Sequence, residues 1–438
     1  MSPHHTDYLT QLHKLIVTYF DLKEIHTLTF ELGIDYETIE GAEKSSKARE
    51  LIEVCARQSR LQDLVSLCRS ERPRMDWPTV PTNFDFGQAI KDVSGSYNPD
   101  TENNLGDTSN PFLVGSAVAS DYFIGREAIL NKIKEHVGSY AGLQSLSLVS
   151  NRSMGKTSLL KYVQQNYCTI FDSPETYIAV YIDALDANAY TNTAFMALLR
   201  KRIKQQTGHE LWRENDDGEL ALLSEGFYEL KEIQGIRLVL LLDEWDHVMN
   251  HPEIDRLLYA LRANGSQGNI GMITATELGL FELSVQGKLT SNFYNIFSQQ
   301  YLSNYSQVEW KLLVQEYYAR SGRMPHWRDL SLIGELAGGH PYLTQLAGSL
   351  VWQVEQERWD EPQVRKIFYT TAEKVIFWNI WRHLDETQIQ ALKKSLNLPP
   401  LQPVPESVVD ELKNRGVLND AGEIFCQAFA QYVIQKVN

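Results

Sequence analysis

The sequence predicts a multi-domain chain: an all-α N-terminal bundle, a central α/β domain on a parallel sheet, and a helical C-terminal region. Three observations carry this. Apolar residues recur at helical spacing, with no strand signal, over about 1–78. Short runs rich in leucine and β-branched residues alternate with helical patterns over about 121–305, as in a parallel sheet covered on both faces. Helical periodicity then resumes from about 306. At 438 residues the chain exceeds one ordinary core, so two or three domains are expected.

In the first region Leu9, Leu12, Ile16, Val17 and Phe20 mark one apolar stripe, and Leu22, Ile25, Leu28 and Leu32 a second. Leu51, Ile52, Val54, Cys55, Leu61, Leu64, Val65 and Leu67 continue the pattern, giving a compact bundle of short helices with no evident catalytic set. His4, His5, His13 and His26 form no spaced cluster with Cys or carboxylates and read as surface or core histidines. From about 79 to 120 the periodicity yields to Pro81-Thr82-Asn83, Ser94-Gly95-Ser96, Asn98-Pro99-Asp100 and Asn103-Asn104, the composition of a flexible linker.

The central region, about 121–305, has strand-like runs at 146–149, 177–182, 238–242 and 270–274. The first breaks into Ser150-Asn151-Arg152-Ser153-Met154-Gly155-Lys156-Thr157-Ser158, the layout of a P-loop, whose amides wrap phosphates and whose lysine reaches their outer oxygens. A helix from 158 to 165 is predicted to follow, its N-terminal partial charge lying where phosphates would sit. Thr157 would place its hydroxyl on Mg²⁺, and the run 238–242 ends in Asp243, the carboxylate that such a metal still needs. Glu244, one residue on, is the natural group to polarise an attacking water. Where G-x-x-x-x-G-K-[ST] has its first glycine, this chain has Ser150, which gives up some backbone freedom and puts nucleotide affinity in question.

In the tail, 405–415 reads as an amphipathic helix, Gly416 turns it, 417–420 as a short strand and Ile424-Phe425 as its return: a winged-helix outline. Its central helix sets Glu406, Asp410 and Glu411 against Lys413 and Arg415, a poor surface for phosphates and a better one for an intramolecular role.

Composition restricts partners. A hydrophobic fraction of 43% with 22% charged residues is that of a globular chain rather than a disordered one. The net charge of −15 works against nonspecific nucleic-acid binding, and the one basic cluster, Arg200-Lys201-Arg202 with Lys204, reads as a solvated helix face. No apolar run nears the roughly 20 residues that cross a bilayer, and the N-terminus lacks a signal-peptide core, so a cytoplasmic location is expected. Cys55, Cys68, Cys168 and Cys426 have neither close pairing nor zinc spacing and are expected to be reduced thiols.

The order Leu32-Gly33-Ile34-Asp35-Tyr36, Lys47-Ala48-Arg49-Glu50-Leu51 and Arg60-Leu61-Gln62-Asp63-Leu64-Val65 resembles the effector-associated domains of bacterial conflict systems, small death-fold-like helical adaptors. The resemblance covers about 1–78 and implies a recruiting device that pairs with a matching helical domain on another protein. Phe123-Ile124-Gly125-Arg126-Glu127, the P-loop, Leu242-Asp243-Glu244-Trp245-Asp246 and Gly338-Gly339-His340-Pro341-Tyr342-Leu343, in that order, resemble the STAND branch of P-loop ATPases, related to AAA+ and origin-recognition ATPases. It spans roughly 111–438 and implies an ATPase core at 121–305, a helical lid at 306–370 and a winged-helix domain at 371–438. It also implies ATP or ADP with Mg²⁺ as ligands, Phe123, Gly125 and Arg126 beside the adenine, and Pro341 bringing the lid onto the nucleotide.

Relatives carry a polar γ-phosphate sensor at the end of the strand 270–274, which matches Thr274, and many follow it with an arginine. Here Glu277 and Leu278 follow, which puts efficient hydrolysis in doubt. Arg262 is the nearest candidate for such an arginine, toward its own site or a neighbour's, the alternative being an exposed arginine on a helix. The resemblance also implies that His383 could touch a bound diphosphate, as a lid histidine does in some relatives, the alternative being a solvent-exposed helix residue. The leading expectation is a slow ATPase with Glu244 and Lys156 as catalytic groups, acting as a signalling switch that self-associates and recruits an effector in antiviral defence or programmed cell death. The alternatives are a DNA-binding loader or transposition regulator, and a scaffold that holds nucleotide without hydrolysing it.

Overall fold

The computed structural model describes residues 110–438 except 140–142, 186–189, 209, 358–359 and 438, and in the N-terminal region 12–13, 15–32, 34, 44, 47–48, 51–52, 55, 61–72 and 77–78. His4, His5, Leu9, Gly33, Asp35, Tyr36, Arg49, Glu50, Val54, Arg60 and the stretch 79–109 of the expected linker lie outside the described residues.

Most of the described N-terminal residues are helical, among them Leu22–Glu31 and Leu61–Glu71. The two apolar stripes converge: Leu12, Ile16, Phe20, Ile25 and Leu28 share one core with Leu51, Ile52, Cys55, Leu64, Val65 and Trp77. Asp21 and Glu24 start the helix Leu22–Glu31 reciprocally, each carboxylate accepting the other's backbone N–H at 2.8 Å. Arg72 pairs with Glu24 at 2.5 Å and lies over the Phe20 ring, closing one end of this core.

A second compact unit begins at Thr108. Its centre is a five-stranded parallel sheet in the order β2-β3-β4-β1-β5, with β1 Ser145–Val149, β2 Tyr177–Asp183, β3 Arg237–Asp243, β4 Ile270–Thr276 and β5 Phe297–Tyr301. Period-two alternation sends Leu240 and Leu242 to one face, with Phe195, Leu199, Trp245 and Leu258, and Val239 and Leu241 to the other, with Ile133, Leu159 and Val163. The sequence predicts the first four strands by their apolar runs. β5, Phe-Ser-Gln-Gln-Tyr, is an edge strand whose residues are only partly buried, so it carries no such run.

The helix after the loop is longer than the sequence suggests, Lys156–Ile170. Its first turn is polar, and the apolar pattern that marks a helix begins only at Leu159.

The C-terminal helices, among them Gln307–Arg320, Trp327–Ala337, Pro341–Glu357, Glu361–Ala372, Glu386–Ser395, Glu406–Asn414 and Gln427–Val437, bury a common core that includes Tyr317, Tyr318, Leu343, Phe368, Phe377, Leu412 and Phe429. The strands expected at 417–420 and 424–425 reduce to one antiparallel bridge, Leu418 to Ile424, closed by Asn419 N–H to the Glu423 carbonyl at 2.7 Å.

Residues 110–118, assigned to the linker by composition, are tied to this unit. Asn110 Nδ2 donates to the Ser349 carbonyl and hydroxyl, Leu113 N–H to Gln345 Oε1, and Val118 N–H to Ser158 Oγ. Phe112 stacks on Tyr317, and Gly348 leaves room for its ring: a Cβ there would lie 2.2 Å from it.

Candidate functional site

β1, β3 and β4 end side by side because β4 pairs with both of the others, and their carboxyl ends bring the motifs together. Ser150 is fully buried, and its N–H donates to the Thr276 carbonyl at 3.1 Å, which prolongs the β1–β4 ladder by one residue. Ser150 is not left-handed. Positive φ falls instead on Ser153 (62°) and Gly155 (89°), on either side of Met154, an alternation that turns successive N–H groups into one concavity. The replaced glycine therefore introduces no backbone strain at this position.

Lys156 opens the following helix and is nearly buried. Its ammonium donates to the Ser150 carbonyl at 2.8 Å, the Asn151 carbonyl at 3.1 Å and Ser150 Oγ at 3.3 Å. Burial pushes its pKa down, opposed by Glu277, Asp246, Glu244 and Asp243.

At the end of β3, Asp243 is 1% exposed. The Tyr181 phenol donates to its Oδ2 at 2.8 Å and the Glu244 N–H to its Oδ1 at 3.1 Å. Glu244 takes φ 52°, which turns the chain into the short helix Trp245–Met249, and it lines the cleft described below. Burial, then the neighbouring Asp243 charge, raise the Glu244 carboxyl above its ordinary range. Asp246 Oδ1 accepts the Glu277 N–H at 2.8 Å, and the Glu277 carboxylate pairs with the Arg152 guanidinium.

Of these groups Lys156, Glu244, Arg152 and Glu277 face a cleft of about 620 Å³, within the size range of small-ligand sites, whereas Asp243 and Asp246 lie behind its lining. Arg152, Ser153, Gly155, Lys156, Thr157, Ser158 and Glu244 line one side, and Phe123, Arg126, Tyr305 and Pro341 also line it. The Arg126 side chain is fixed by three contacts from two loops: Nη1 donates to the Ser303 carbonyl at 2.6 Å, Nη2 to the Met154 carbonyl at 3.1 Å, and its guanidinium lies 4.2 Å from the Tyr305 ring centroid. Its own N–H is taken by Glu309, against which Gly125 packs.

The other expected residues, Asp243 and Gly125 among them, lie off the lining. Ser150, Asn151 and Met154 form the buried interior of the loop. Thr274 is fully buried in β4, in register with Ser147 and Leu242, and Arg262 is on the helix Asp255–Ser266. His383 borders a separate small depression with Asn151, Arg152, Glu277 and Asn379.

Sequence reasoning missed Tyr181 and Arg415. Tyr181 sits in an ordinary strand pattern, and Arg415 reads as a helix-terminal charge. Arg415 Nη2 donates to Asn151 Oδ1 at 2.9 Å, while Asn151 Nδ2 donates to the Arg415 carbonyl at 3.0 Å. In the basic cluster Arg200 pairs with Asp217 at 3.0 Å and Lys204 with Glu210 at 2.8 Å.

Among the described residues no group of three or more His, Cys, Asp or Glu could hold a metal. A hydroxyl at Thr157 and a carboxylate at Asp243 fit Mg²⁺, a cation that keeps water and phosphate oxygens in its shell rather than an all-protein cage. No described helix is long and apolar enough to cross a membrane.

Residues 12–73 match the family model of effector-associated domain 7. No curated protein is significantly similar to the chain. Among solved structures, the Walker-type ATPase paby2304 of Pyrococcus abyssi superposes with a TM-score of 0.50 at 14% identity, over 71% of this chain and 96% of that one. The ORC2 protein of Aeropyrum pernix gives 0.44 at 15% identity, over 71% and 93%, and Cdc6p of Pyrobaculum aerophilum 0.40 at 14%, over 73% and 99%. The chain thus joins an effector-associated domain at its N-terminus to a unit with the fold of a Walker-type P-loop ATPase.

Proposed function

We propose that this protein is a nucleotide-dependent signalling switch of the STAND type. It binds ATP or ADP with Mg²⁺ in the cleft, hydrolyses ATP slowly, self-associates on activation and recruits an effector through the N-terminal domain, in bacterial antiviral defence or programmed cell death. The observation that carries the reading is convergence: Lys156 and Thr157, Glu244, and Pro341 from the C-terminal helices line one cleft.

In this reading the loop amides and Lys156 bind phosphate oxygens, which requires the ammonium to exchange the Ser150 and Asn151 carbonyls for ligand. Thr157 and Asp243 hold the metal, whose charge would stabilise the transferring phosphoryl group. Glu244 accepts a proton from the attacking water, and its raised pKa suits a base working near neutrality. Phe123 and Arg126 lie beside the base. Pro341 opens a helix of the C-terminal region, and the winged-helix outline around Leu418 and Ile424 brings Arg415 to the loop, so nucleotide occupancy and the C-terminal helices are mechanically linked. The pairing of Arg200 with Asp217 disfavours nucleic acid as the partner.

The test is mass in solution with ADP, ATP and a non-hydrolysable ATP analogue, for the full chain and Lys156→Ala. A larger assembly with the analogue, lost in the variant, is expected. Unchanged mass and protease sensitivity in every nucleotide overturns the reading.

A further inference from the structure

The carboxylate assigned to the metal is held by a residue to which no role has been given. Tyr181 lies on β2, opposite Leu241 of β3, while Asp183 lies opposite Asp243. Residues two apart on a strand share a face, so Tyr181 emerges on the same side as Asp243 and reaches diagonally toward the strand end. Its phenol arrives 2.8 Å from Asp243 Oδ2.

Two further contacts define the arrangement. The Lys161 ammonium, on the helix that Lys156 opens, lies 5.5 Å from the Tyr181 ring centroid, and the ring packs with the core on that side of the sheet. The second Asp243 oxygen, Oδ1, accepts the Glu244 N–H at 3.1 Å. Each carboxylate oxygen therefore carries one fixed donor and keeps one lone-pair direction free. A phenol carries its proton at neutral pH and a carboxylate only accepts, so Tyr181 is the donor of this pair.

We propose that Tyr181 is a positioning residue for the divalent cation, fixing the rotation of the Asp243 carboxylate so that its free lone pairs meet the metal of a Mg²⁺-nucleotide. The inference rests on the reading of the cleft as a Mg²⁺-nucleotide site. The chemistry is that of an outer-shell hydrogen bond: it makes no contact with the metal, yet removes a rotational freedom that ligation would otherwise have to freeze.

The experiment compares the full chain with Tyr181→Phe, which keeps the ring and removes only the donor. A fluorescent N-methylanthraniloyl derivative of a non-hydrolysable ATP analogue is titrated in EDTA and across a Mg²⁺ series. Free Mn²⁺ is followed separately by electron paramagnetic resonance in the presence of the unlabelled analogue. The expected result is a rise of about tenfold or more in the Mg²⁺ and Mn²⁺ concentrations at half-saturation, with the EDTA affinity unchanged within about twofold. Unchanged metal half-saturation, or an EDTA affinity that falls by the same factor, overturns the proposal, because a purely structural phenol would affect both conditions alike. Wild-type protein that binds no nucleotide in either condition overturns the reading of the cleft itself, and this inference with it. Metal-dependent binding by the wild type with an unaltered variant removes only the role of Tyr181.

Discussion

Asn151 in the loop after β1 and Arg415 near the C-terminus, 264 positions apart, exchange two hydrogen bonds, side-chain amide to carbonyl and guanidinium to side-chain oxygen. Both residues are 9% exposed, so the exchange is made largely out of water. Asn304 adds a third link nearby, its Nδ2 donating to the Gly416 carbonyl at 2.7 Å. Asn151→Ala removes both partners of Arg415 in the loop and leaves a carbonyl and a guanidinium N–H without them. A loss of about 1–3 kcal/mol in urea unfolding is expected, together with faster proteolysis of the C-terminal helices.

Lys156→Ala removes the ammonium without touching the core, since the side chain bonds only to loop oxygens. Nucleotide affinity is expected to fall about 10- to 100-fold, the cost of one charge-assisted contact to phosphate, with little change in the thermal midpoint. Equilibrium titration with a fluorescent ADP, beside a melting curve, checks both halves.

Glu244→Gln keeps the shape of the side chain and removes the proposed base. Turnover is expected to drop by about 10²- to 10⁴-fold while ADP affinity stays within a few-fold of wild type. In the wild type the carboxylate form must accept the proton, and burial with Asp243 raises its pKa. Activity should therefore fall on the acid side at a higher pH than for a water-exposed glutamate, and a pH–rate profile reads this directly.

Gly338 and Gly339 have φ of 54° and 79°, and a Cβ would lie 1.9 Å from the Phe425 carbonyl oxygen at the first and 2.3 Å from the Tyr305 carbonyl oxygen at the second. Neither obstacle is a flexible side-chain end. Alanine at either position is expected to destabilise the fold by about 3 kcal/mol or more, measured by chemical denaturation, through combined strain and backbone displacement.

His340, 1% exposed, has its pKa pushed down to about 3 by burial and then by the Arg126 charge. The unfolded chain takes up its proton near pH 6.5, whereas the folded one stays neutral until far lower. Stability is thus intact above pH 6.5 and declines as pH falls from there toward 3, by an amount of order a few kcal/mol. His340→Gln should flatten that decline in urea denaturation measured across the same pH window.

Much of this was legible in the sequence. Four strands announced themselves because a buried parallel strand must be apolar on both faces, as Leu238 to Leu242 are. The loop from Ser150 to Ser158 was legible because phosphate-binding geometry constrains residue type position by position. β5 was hidden because an edge strand can be polar, and residues 110–118 because their order comes from partners such as Gln345 and Ser158 rather than from local propensity. The doubt raised by Ser150 is resolved for the backbone: the positive φ values fall elsewhere in the loop.

By itself the sequence determined the local chemistry: which segments are strands, where a loop can turn its amides inward, and which lysine, threonine and carboxylates stand next to it. Tertiary structure decided which of these face the cleft. It buried Thr274 within β4, left Arg262 off the cleft lining, set Tyr181 on Asp243 and brought Arg415 to Asn151. The reason is physical: periodicity and motif spacing record the demands of neighbours along the chain, whereas a hydrogen bond across strands or over 264 positions depends on packing that no local pattern encodes.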